Sequence, residues 1–431
     1  MSDGTGRKRR LTLTAIGVGG LAVMVVAALL QVRRGAPRNA DPSPRENPAD
    51  NKGSPHAAGA SQTPAPAPTR KPADPPAPAL SAPARPPAEV AFPGLESKDL
   101  REQKAALLGL MQRELELDEG SVAKVRTIYE GSSWMSQGNP KVTQHPMTRA
   151  ECRARRASAE PLPSGDSVCG KPNMVALYDP SRGETVNDAR ACIDQYEFPN
   201  IPCEYPVIWV KADEAVELCK AEGKRICDAH EWEGGCAGAL KKPEEEYAFG
   251  QRRLMIEYLH NKERDVVWSY GKTKDHSKCA TGSRKSTTCN VIDWDLCGSN
   301  TYPAGSFPEC RSPFGAFDLN GNAAEHMNLP LTPEQLASRG GLGETEMKGS
   351  WFIFAMYEAH EDDCRWRAPM WHKSKIDARG SHRNYHLGFR CCSDVKSVSD
   401  SAPPAVSAAP PSSVAPVGSA EPTRSPVQPG K

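Results

Sequence analysis

Residues 191–238 decide the fold and read ACIDQYEFPNIPCEYPVIWVKADEAVELCKAEGKRICDAHEWEGGCAG. The β-rich segment PVIWV is followed by a helical pattern from about Asp213 to Glu222, which Gly223 can end in the left-handed conformation. Asp228 then precedes a second helix, because its carboxylate can accept hydrogen bonds from the first free amides of that helix. This alternation of short strands and short helices predicts an α+β domain.

Motifs within and beyond this stretch occur in a fixed order. They are EFPN (197–200), VKADEAVELC (210–219), GKRICDAHEWE (223–233), FGAFDLNGNAAE (314–325), KGSW (348–351) and LGFRC (387–391). The set resembles the ordered motifs of the formylglycine-generating enzyme, or sulfatase-modifying factor, family over about 200 residues. The resemblance implies an irregular α+β fold related to C-type lectins, with little regular secondary structure.

The cysteines are confined to one part of the chain. All 14 lie between Cys152 and Cys392. An even number of cysteines at this density predicts disulfides formed in an oxidising compartment. A zinc site is the alternative, but it would need paired C-x-x-C knuckles, and the spacings from Cys219 to Cys227 and from Cys227 to Cys236 are wider than that. Disulfides are therefore favoured over zinc.

An apolar segment near the N-terminus predicts a membrane anchor. Residues 11–32 carry no charge over 22 positions, which is long enough to cross a bilayer as a helix. Four basic residues at 7–10 precede it and only Arg33 and Arg34 follow, so we expect a cytoplasmic N-terminus and an extracytoplasmic main domain, periplasmic in a bacterium. A cleaved signal peptide is the alternative, although it would usually have a shorter apolar core and a small-x-small cleavage site.

The rest of the chain divides by composition. Two segments rich in Pro and Ala cannot bury enough apolar surface to offset the entropy cost of ordering, so we predict them to be disordered. The first is either a spacer or low-complexity filler. The predicted segments are a cytoplasmic tail (1–10), a transmembrane helix (11–32), a disordered linker (33–94), a helical hairpin (95–150), a Cys-rich domain (151–397) and a disordered tail (398–431).

The predicted hairpin consists of two helices broken near Asp118 to Gly120, with Ser97 as the N-cap of the first. Its apolar residues fall at helical spacing and form one stripe, which must pack on the partner helix or on the domain that follows. The stripe comprises Leu100, Leu107, Leu108, Met111 and Leu115. Nothing in this segment indicates catalysis, and a rigid stalk is the preferred interpretation.

Charge and motifs exclude several functions. With 54 basic and 53 acidic residues, the net charge of +1 gives no field that would favour nucleic acid. The chain has no P-loop, no G-x-S-x-G and no dinucleotide fingerprint. His230, His326 and His386 lie in or beside the motifs but form no pair at metal-ligand spacing, so we expect structural roles for them. Iron-dependent relatives take histidines from a helical domain, and residues 97–130 contain none.

The segment DLNGNAAE contains two carboxylates seven residues apart in an oxygen-rich loop, which is typical of a site for a hard cation. The family resemblance implies structural calcium here, with the side chains of Asp318 and Glu325 and the backbone carbonyls of Gly321 and Ala323 as ligands. The alternative is an Asx-type turn at Asp318 with a solvated Glu325.

The catalytic cysteines of the family have no counterparts at the matching positions. Formylglycine-generating members bind Cu(I) between two thiolates, which must both reach one point. Measured from KGSW, the two positions hold Ile353 and Glu358. Cys364 is the one candidate catalytic residue in this region, and copper is not expected.

The resemblance also implies two disulfides. One would join Cys219 to Cys391, and the other would join Cys236 to Cys364, which would leave no reactive thiol at Cys364. Cys392 has no assigned partner, and the pairing of the remaining cysteines stays open.

Two functions are compatible with these observations. The first is a non-catalytic binding or scaffold module that recognises a protein, peptide or glycan through a surface near Trp351, Trp366 and Trp371. The second is a divergent copper-dependent oxidase that converts a sulfatase-type cysteine to formylglycine with Cys364 and another thiol such as Cys392. The first is preferred, because a shared fold does not carry an activity without its site.

Overall fold

The computed structural model describes residues 92, 94–157, 166–281, 293–349, 361–368 and 373–396. Within these residues no helix combines the length and the apolar character that crossing a bilayer requires. The apolar segment 11–32 and the C-terminal tail lie outside the described residues, so the predicted anchor and the predicted disordered tail stay predictions.

The described part of the chain mixes helices with short strands. Its helices are α1 (Leu100–Glu114), α2 (Glu119–Gly131), α3 (Arg149–Arg156), α4 (Asp166–Cys169), α5 (Ala212–Ala221), α6 (Ala229–Ala237), α7 (Pro243–Glu246), α8 (Arg253–Glu263) and α9 (Pro333–Ala337). Single 3-10 turns lie at Pro180–Arg182, Val186–Asp188 and His276–Lys278.

The strands form two small sheets. They are β1 (Met174–Leu177), β2 (Ala191–Asp194), β3 (Arg225–Ile226), β4 (Ala324–Leu329), β5 (Glu344–Lys348), β6 (Leu387–Phe389) and β7 (Cys391–Ser393). The first sheet has the order β1-β2-β7-β3, and all its neighbouring strands are antiparallel. The second has the order β5-β4-β6, in which β4 is antiparallel to β5 and parallel to β6.

Helix α1 is capped by Asp99 and not by Ser97. The Asp99 carboxylate accepts hydrogen bonds from the amides of Arg101 and Glu102, which are free donors in the first turn. The Ser97 hydroxyl donates to the Glu102 carboxylate and accepts from the Asp99 amide, so it supports the cap from one turn earlier. The expectation that Ser97 is the N-cap was therefore wrong by two residues.

Helices α1 and α2 pack into the core of the domain that follows them. Leu107, Leu108 and Met111 of α1 are at most 2% exposed. They belong to one apolar cluster with Val216 of α5 and Phe389 of β6. Burying a side chain of this size contributes about 1.5–3 kcal/mol, so this contact is a substantial part of the stability.

Two adjacent cysteines on β7 each form a disulfide. Cys391 bonds Cys219 of α5, and Cys392 bonds Cys227, which follows β3 directly. Because successive side chains of a strand point to opposite faces, the two bonds lie on opposite sides of the sheet and in two different apolar clusters.

Candidate functional site

Residues from four of the sequence motifs meet in one buried cluster. The Arg390 guanidinium donates from Nε and Nη2 to the Glu325 carboxylate at 2.6–3.0 Å. Trp232 of α6 donates from Nε1 to Glu325 Oε2 at 2.7 Å. Arg390 and Glu325 are both fully buried. This charged pair is held in a low-dielectric interior, where such hydrogen bonds are strong and an unpaired charge is costly.

Two more carboxylates lie in this cluster. Glu197, from the EFPN motif, accepts from the Ala323 amide at 2.8 Å and from Asn322 Nδ2 at 2.5 Å. Asp318 Oδ2 accepts from the Gly305 amide at 2.6 Å. Burial raises the pKa of Asp318 to about 6. Burial, with the neighbouring charges of Asp318 and Glu325, raises the pKa of Glu197 well above its usual range.

The cluster explains why the carboxyl pKa values rise. Its carboxylates Glu197, Asp318 and Glu325 surround one buried guanidinium, so Arg390 compensates only part of the negative charge. A fully ionised set would be unfavourable in this interior, and the pKa values of Glu197 and Asp318 are raised accordingly. The cluster is therefore a structural ion-pair network.

The four residues expected to bind calcium are adjacent in the chain but do not form an open oxygen cage. Both oxygens of Glu325 already accept hydrogen bonds from Arg390 and Trp232, and an ion at Glu325 would have to displace a guanidinium. Asp318 Oδ2 accepts from the Gly305 amide. This arrangement does not fit a calcium ion at Glu325, and the assignment of Asp318, Gly321, Ala323 and Glu325 stays a prediction from the resemblance.

Cys364 forms a disulfide and is not a free thiol. Its sulfur bonds Cys236 at the C-terminal end of α6, and both residues are fully buried. Asn320 lies beside this bond and donates from Nδ2 to the backbone carbonyl of Asp362 at 2.8 Å, which ties the segment before Cys364 to the FDLNGN loop. Ile353 and Glu358, at the two family thiolate positions, lie outside the described residues.

The described cysteines form a disulfide framework. The remaining resolved pairs are Cys152–Cys203, Cys169–Cys192 and Cys279–Cys310. Cys297 is disulfide-bonded as well. No cysteine in the described ranges is a free thiol.

A second buried cluster was not predicted from the sequence. The described residues include one group of potential metal ligands whose carboxylate oxygens and imidazole nitrogen all lie within 4.8 Å of one another. Its members are Glu233, Glu246 and His260. Glu233 also accepts from Lys348 Nζ at 2.6 Å and from Arg367 Nε at 2.9 Å. Since cations already pair with the carboxylates, this group does not fit a metal ion.

Sequence reasoning could not find this second cluster, because its members come from distant segments. Glu233 belongs to the HEWE motif and Lys348 to the KGSW motif, and these motifs were the sequence features that could have pointed to the cluster. Arg367 and His260 lie in no recognised pattern. Burial lowers the pKa of His260 to about 3, so its imidazole is neutral near pH 7.

The remaining expected residues are placed as follows. Trp366 is half-buried, and its backbone carbonyl accepts from Lys348 Nζ at 2.7 Å. Trp351 and Trp371 lie outside the described residues. His230 is buried against Tyr247, and burial lowers its pKa to about 4. His326 donates from Nε2 to the Val210 carbonyl at 2.9 Å.

Part of the chain matches a known protein family. Residues 181–395 match the family model described as the sulfatase-modifying factor enzyme 1-like domain. The chain contains a domain of this family. No match to a curated protein was found.

The matched range places the clusters within the sulfatase-modifying-factor-like domain. It includes the Arg390 cluster and the Glu233 cluster, and it includes the disulfides of Cys364, Cys391 and Cys392. Helices α1 to α4 precede it, although the first two share its core. The motif residues Glu197, Trp232, Glu325 and Arg390 thus hold the framework of the domain together.

Proposed function

We propose that this protein is a membrane-anchored extracytoplasmic protein whose sulfatase-modifying-factor-like domain binds a ligand without catalysing formylglycine formation. The observation that carries the proposal is the Cys236–Cys364 disulfide, which is fully buried. A Cu(I) ion bound by two thiolates needs two free sulfurs at one point. A buried disulfide at the single cysteine of that region offers neither.

The disulfide framework also supports the extracytoplasmic location. Disulfides persist in oxidising compartments and are rare where glutathione and thioredoxin keep thiols reduced. Every cysteine within the described ranges is bonded. The apolar residues 11–32, with more basic residues before them than after them, support an uncleaved signal-anchor that leaves the domain outside the membrane.

The proposed ligand is a protein, a peptide or a glycan. The family fold presents loops and aromatic residues on an irregular surface. Of the three tryptophans expected near that surface, Trp366 lies among the described residues and is half-buried. Aromatic side chains contribute strongly to recognition because they bury a large apolar area with few rotatable bonds.

Disulfide mapping tests the proposal. The full chain, produced with export to an oxidising compartment and extracted in detergent, is digested without reduction and analysed by mass spectrometry. We expect the Cys236–Cys364 peptide pair to be recovered quantitatively. We also expect no Cu(I) binding and no oxidation of a peptide containing C-x-P-x-R.

A matched variant sharpens the test. Cys236→Ala releases Cys364 as a thiol, and we expect this protein to remain unable to oxidise the peptide, because one thiolate cannot form a two-coordinate copper site. Two free thiols in the unmodified chain that bind Cu(I) and oxidise the peptide would instead establish the divergent oxidase.

The anchor is tested separately on membranes. The full chain should resist carbonate extraction and should be degraded by protease added to the outside of spheroplasts. A variant lacking residues 11–32 should stay in the soluble fraction. Release of the full chain by carbonate would contradict the anchor and would leave the disulfide test unaffected.

A further inference from the structure

A cavity of about 250 Å³ lies between α7 and α8. Part of its lining is apolar and consists of Ala248, Ile256 and Leu259, and the carboxylates of Glu244 and Glu263 line it as well. A cavity of about 150 Å³ accommodates benzene, so this larger volume admits an unbranched chain of several carbon atoms. The cavity is therefore large enough for an alkyl chain that ends in a polar group.

Two acceptor atoms of the cavity lining face each other. His260 Nε2 lies 2.7 Å from the Arg365 carbonyl oxygen, which can only accept, so this nitrogen carries the hydrogen and Nδ1 carries the lone pair. His260 Nδ1 lies 3.5 Å from Glu246 Oε2. Both residues line the cavity, and their side chains are only 7% and 3% exposed. A neutral imidazole nitrogen and a carboxylate oxygen thus meet with no hydrogen atom between them.

Neither acceptor bonds a donor elsewhere in the described part of the chain. Glu246 Oε1 accepts from Arg365 Nη1, whereas Oε2 accepts no hydrogen bond from a described residue. Glu246 Oε2 and His260 Nδ1 are also absent from the fully enclosed polar atoms that lack a hydrogen bond, so a group in the cavity can reach both. An acceptor without a donor is costly in a nearly dry environment, and two of them at this distance indicate one donor group that bonds both.

The charges of the lining favour a cationic donor over a neutral one. Glu244 and Glu263 are exposed, and neither pairs with a residue that the structure describes. The three basic side chains of the lining, in contrast, are already paired with carboxylates. These pairs are Lys241–Asp265, Arg264–Asp363 and Arg365–Glu246. A group that enters the cavity therefore meets carboxylates without a counter-charge, which attract a cation.

We propose that this cavity binds a primary alkylammonium group, the chemistry of a lysine side chain and of a free diamine. An ammonium has three N–H donors, so it can donate to Glu246 Oε2 and His260 Nδ1 together while its alkyl chain contacts the apolar lining. It needs only these two acceptors, whereas the metal site excluded above also needs Glu233. A lysine of a peptide or protein would be part of the ligand proposed above, so the inference rests on the proposed function.

Saturation-transfer NMR on the full chain in detergent tests the proposal with defined probes. The probes are Nα-acetyl-lysine methylamide, the uncharged Nα-acetyl-norleucine methylamide and 1,5-diaminopentane. We expect the lysine probe to bind with a dissociation constant of roughly 1 mM and the norleucine probe, which lacks the nitrogen, to bind at least tenfold more weakly. Tighter binding of the diamine than of the lysine probe identifies a free diamine as the ligand, and the reverse order identifies a lysine side chain.

Glu246→Gln assigns the signal to the two acceptors. Its amide oxygen can still accept from Arg365, and its amide nitrogen then replaces Oε2 and can donate to His260 Nδ1. The ammonium meets a donor in place of an acceptor, so the lysine probe should lose at least tenfold in affinity. Thermal unfolding is measured as well, because the variant removes the charge that faces Arg365. Glu309→Gln, at an exposed carboxylate outside the cavity, is the control and should bind normally.

A second variant leaves the buried Arg365–Glu246 pair intact. Glu244→Gln combined with Glu263→Gln removes the two exposed carboxylates of the lining and should weaken binding of the lysine probe roughly threefold, with a larger effect at low salt. Thermal unfolding should be unchanged, because neither carboxylate pairs with a described residue.

Three outcomes overturn the proposal. They are failure of both amines to bind, equal binding of the lysine and norleucine probes, and binding of the lysine probe that either variant leaves unchanged in its folded state. Each is distinguishable from failure of the proposed function, because the Cys236–Cys364 disulfide is measured independently of this cavity.

Discussion

At the level of single residues, Arg390 is the side chain on which the buried carboxylates depend. It donates to Glu325 through two nitrogens and to the carbonyls of Asp194 and Phe317. Burial opposes its charge, but Glu325 and, to a smaller extent, Glu197 and Asp318 outweigh burial and raise its pKa. Such a group stabilises mainly because its removal leaves charge that the interior cannot solvate.

Substitution of Arg390 should therefore be severe. We expect Arg390→Met to lower the free energy of unfolding by roughly 3–5 kcal/mol, because it strands buried carboxylates. Urea denaturation at pH 7 with the disulfides intact measures the change. Arg101→Met, at an arginine whose side chain is 94% exposed, is the control and should change stability by less than about 0.5 kcal/mol.

The Arg390 prediction has a second arm. Glu325→Gln combined with Arg390→Met removes both charges of the pair, so the double variant should lose less stability than the two single variants together. A loss below about 1 kcal/mol in Arg390→Met alone would show that the cluster is solvated and that the pair is not structural.

The raised pKa of the buried Glu346 carboxyl group predicts that the stability of the protein depends on pH. The Glu346 carboxylate accepts from the Ala368 amide at 2.7 Å and from Arg253 Nη2 at 3.0 Å, and burial raises its pKa from 4.5 to about 7. The folded protein therefore holds this proton more tightly than the unfolded chain. The stability from this group is complete below about pH 4.5 and is lost as the pH rises through about 7.

Glu346→Gln removes this titration. We expect the melting temperature of the variant to rise relative to that of the unmodified protein as the pH increases from 5 to 8. The corresponding change in the free energy of unfolding is at most roughly 3 kcal/mol. Calorimetry across this range provides the measurement. Glu309→Gln, at an exposed carboxylate, should give a flat difference, and a flat difference for Glu346→Gln as well would contradict the raised pKa.

At the level of elements, α1 and α2 are joined by a buried lysine. Lys104 of α1 is 4% exposed and donates from Nζ to the backbone carbonyls of Tyr129 and Ser132 at the end of α2. Burial lowers its pKa to about 8. The ammonium satisfies carbonyls that a helix end leaves without intrahelical donors, and it complements the negative end of the helix dipole.

Lys104→Met tests this link. The substitution keeps an apolar stem in the α1–α2 interface but leaves two carbonyls without their donor, so we expect a loss of about 2 kcal/mol in the free energy of unfolding. Lys124→Met, on the exposed side of α2, is the matched control. Equal stability of the two variants, measured by urea denaturation, would mean that water replaces the ammonium.

At the level of the whole molecule, the disulfides connect segments that are far apart in the chain. Cys219–Cys391 spans 172 residues and Cys227–Cys392 spans 165. Either bond alone closes a long loop of the unfolded chain, and the entropy lost by that chain favours the folded state. With one bond in place, the other closes only a short additional loop. With short strands and two small sheets, the domain relies on such crosslinks more than on extended sheet pairing.

The Cys219–Cys391 bond provides a measurable case. Cys219→Ala combined with Cys391→Ala should lower the free energy of unfolding by about 3 kcal/mol, because Cys227–Cys392 remains and the lost bond then closes only a short additional loop. Removal of Cys169–Cys192, which spans 23 residues, should cost about 3 kcal/mol. Chemical denaturation of both variants should therefore give similar losses, and a loss of about 5 kcal/mol for the Cys219–Cys391 pair would contradict this coupling of the two bonds.

The sequence by itself determined the family and the local structure. The ordered motifs indicated the family domain, since each motif is a short run of adjacent residues. The helix expected from about Asp213 to Glu222 runs from Ala212 to Ala221, because its apolar spacing and its glycine stop are local signals. Helix α6 starts after Asp228 as expected, but its cap differs from the expected one. The Asp228 amide donates to the Glu231 carboxylate, and the Asp228 carboxylate accepts from Asn328 Nδ2 and not from the first helix amides.

Only the tertiary structure decided which distant groups meet. The partner of Cys392, the network around Glu233 and His260, and the packing of α1 on the domain core all join segments separated by many residues. Glu325, a calcium ligand by resemblance, is taken by an arginine 65 residues away. Local sequence sets propensity and caps, whereas charge pairing and burial depend on what the folded chain brings within a few ångströms.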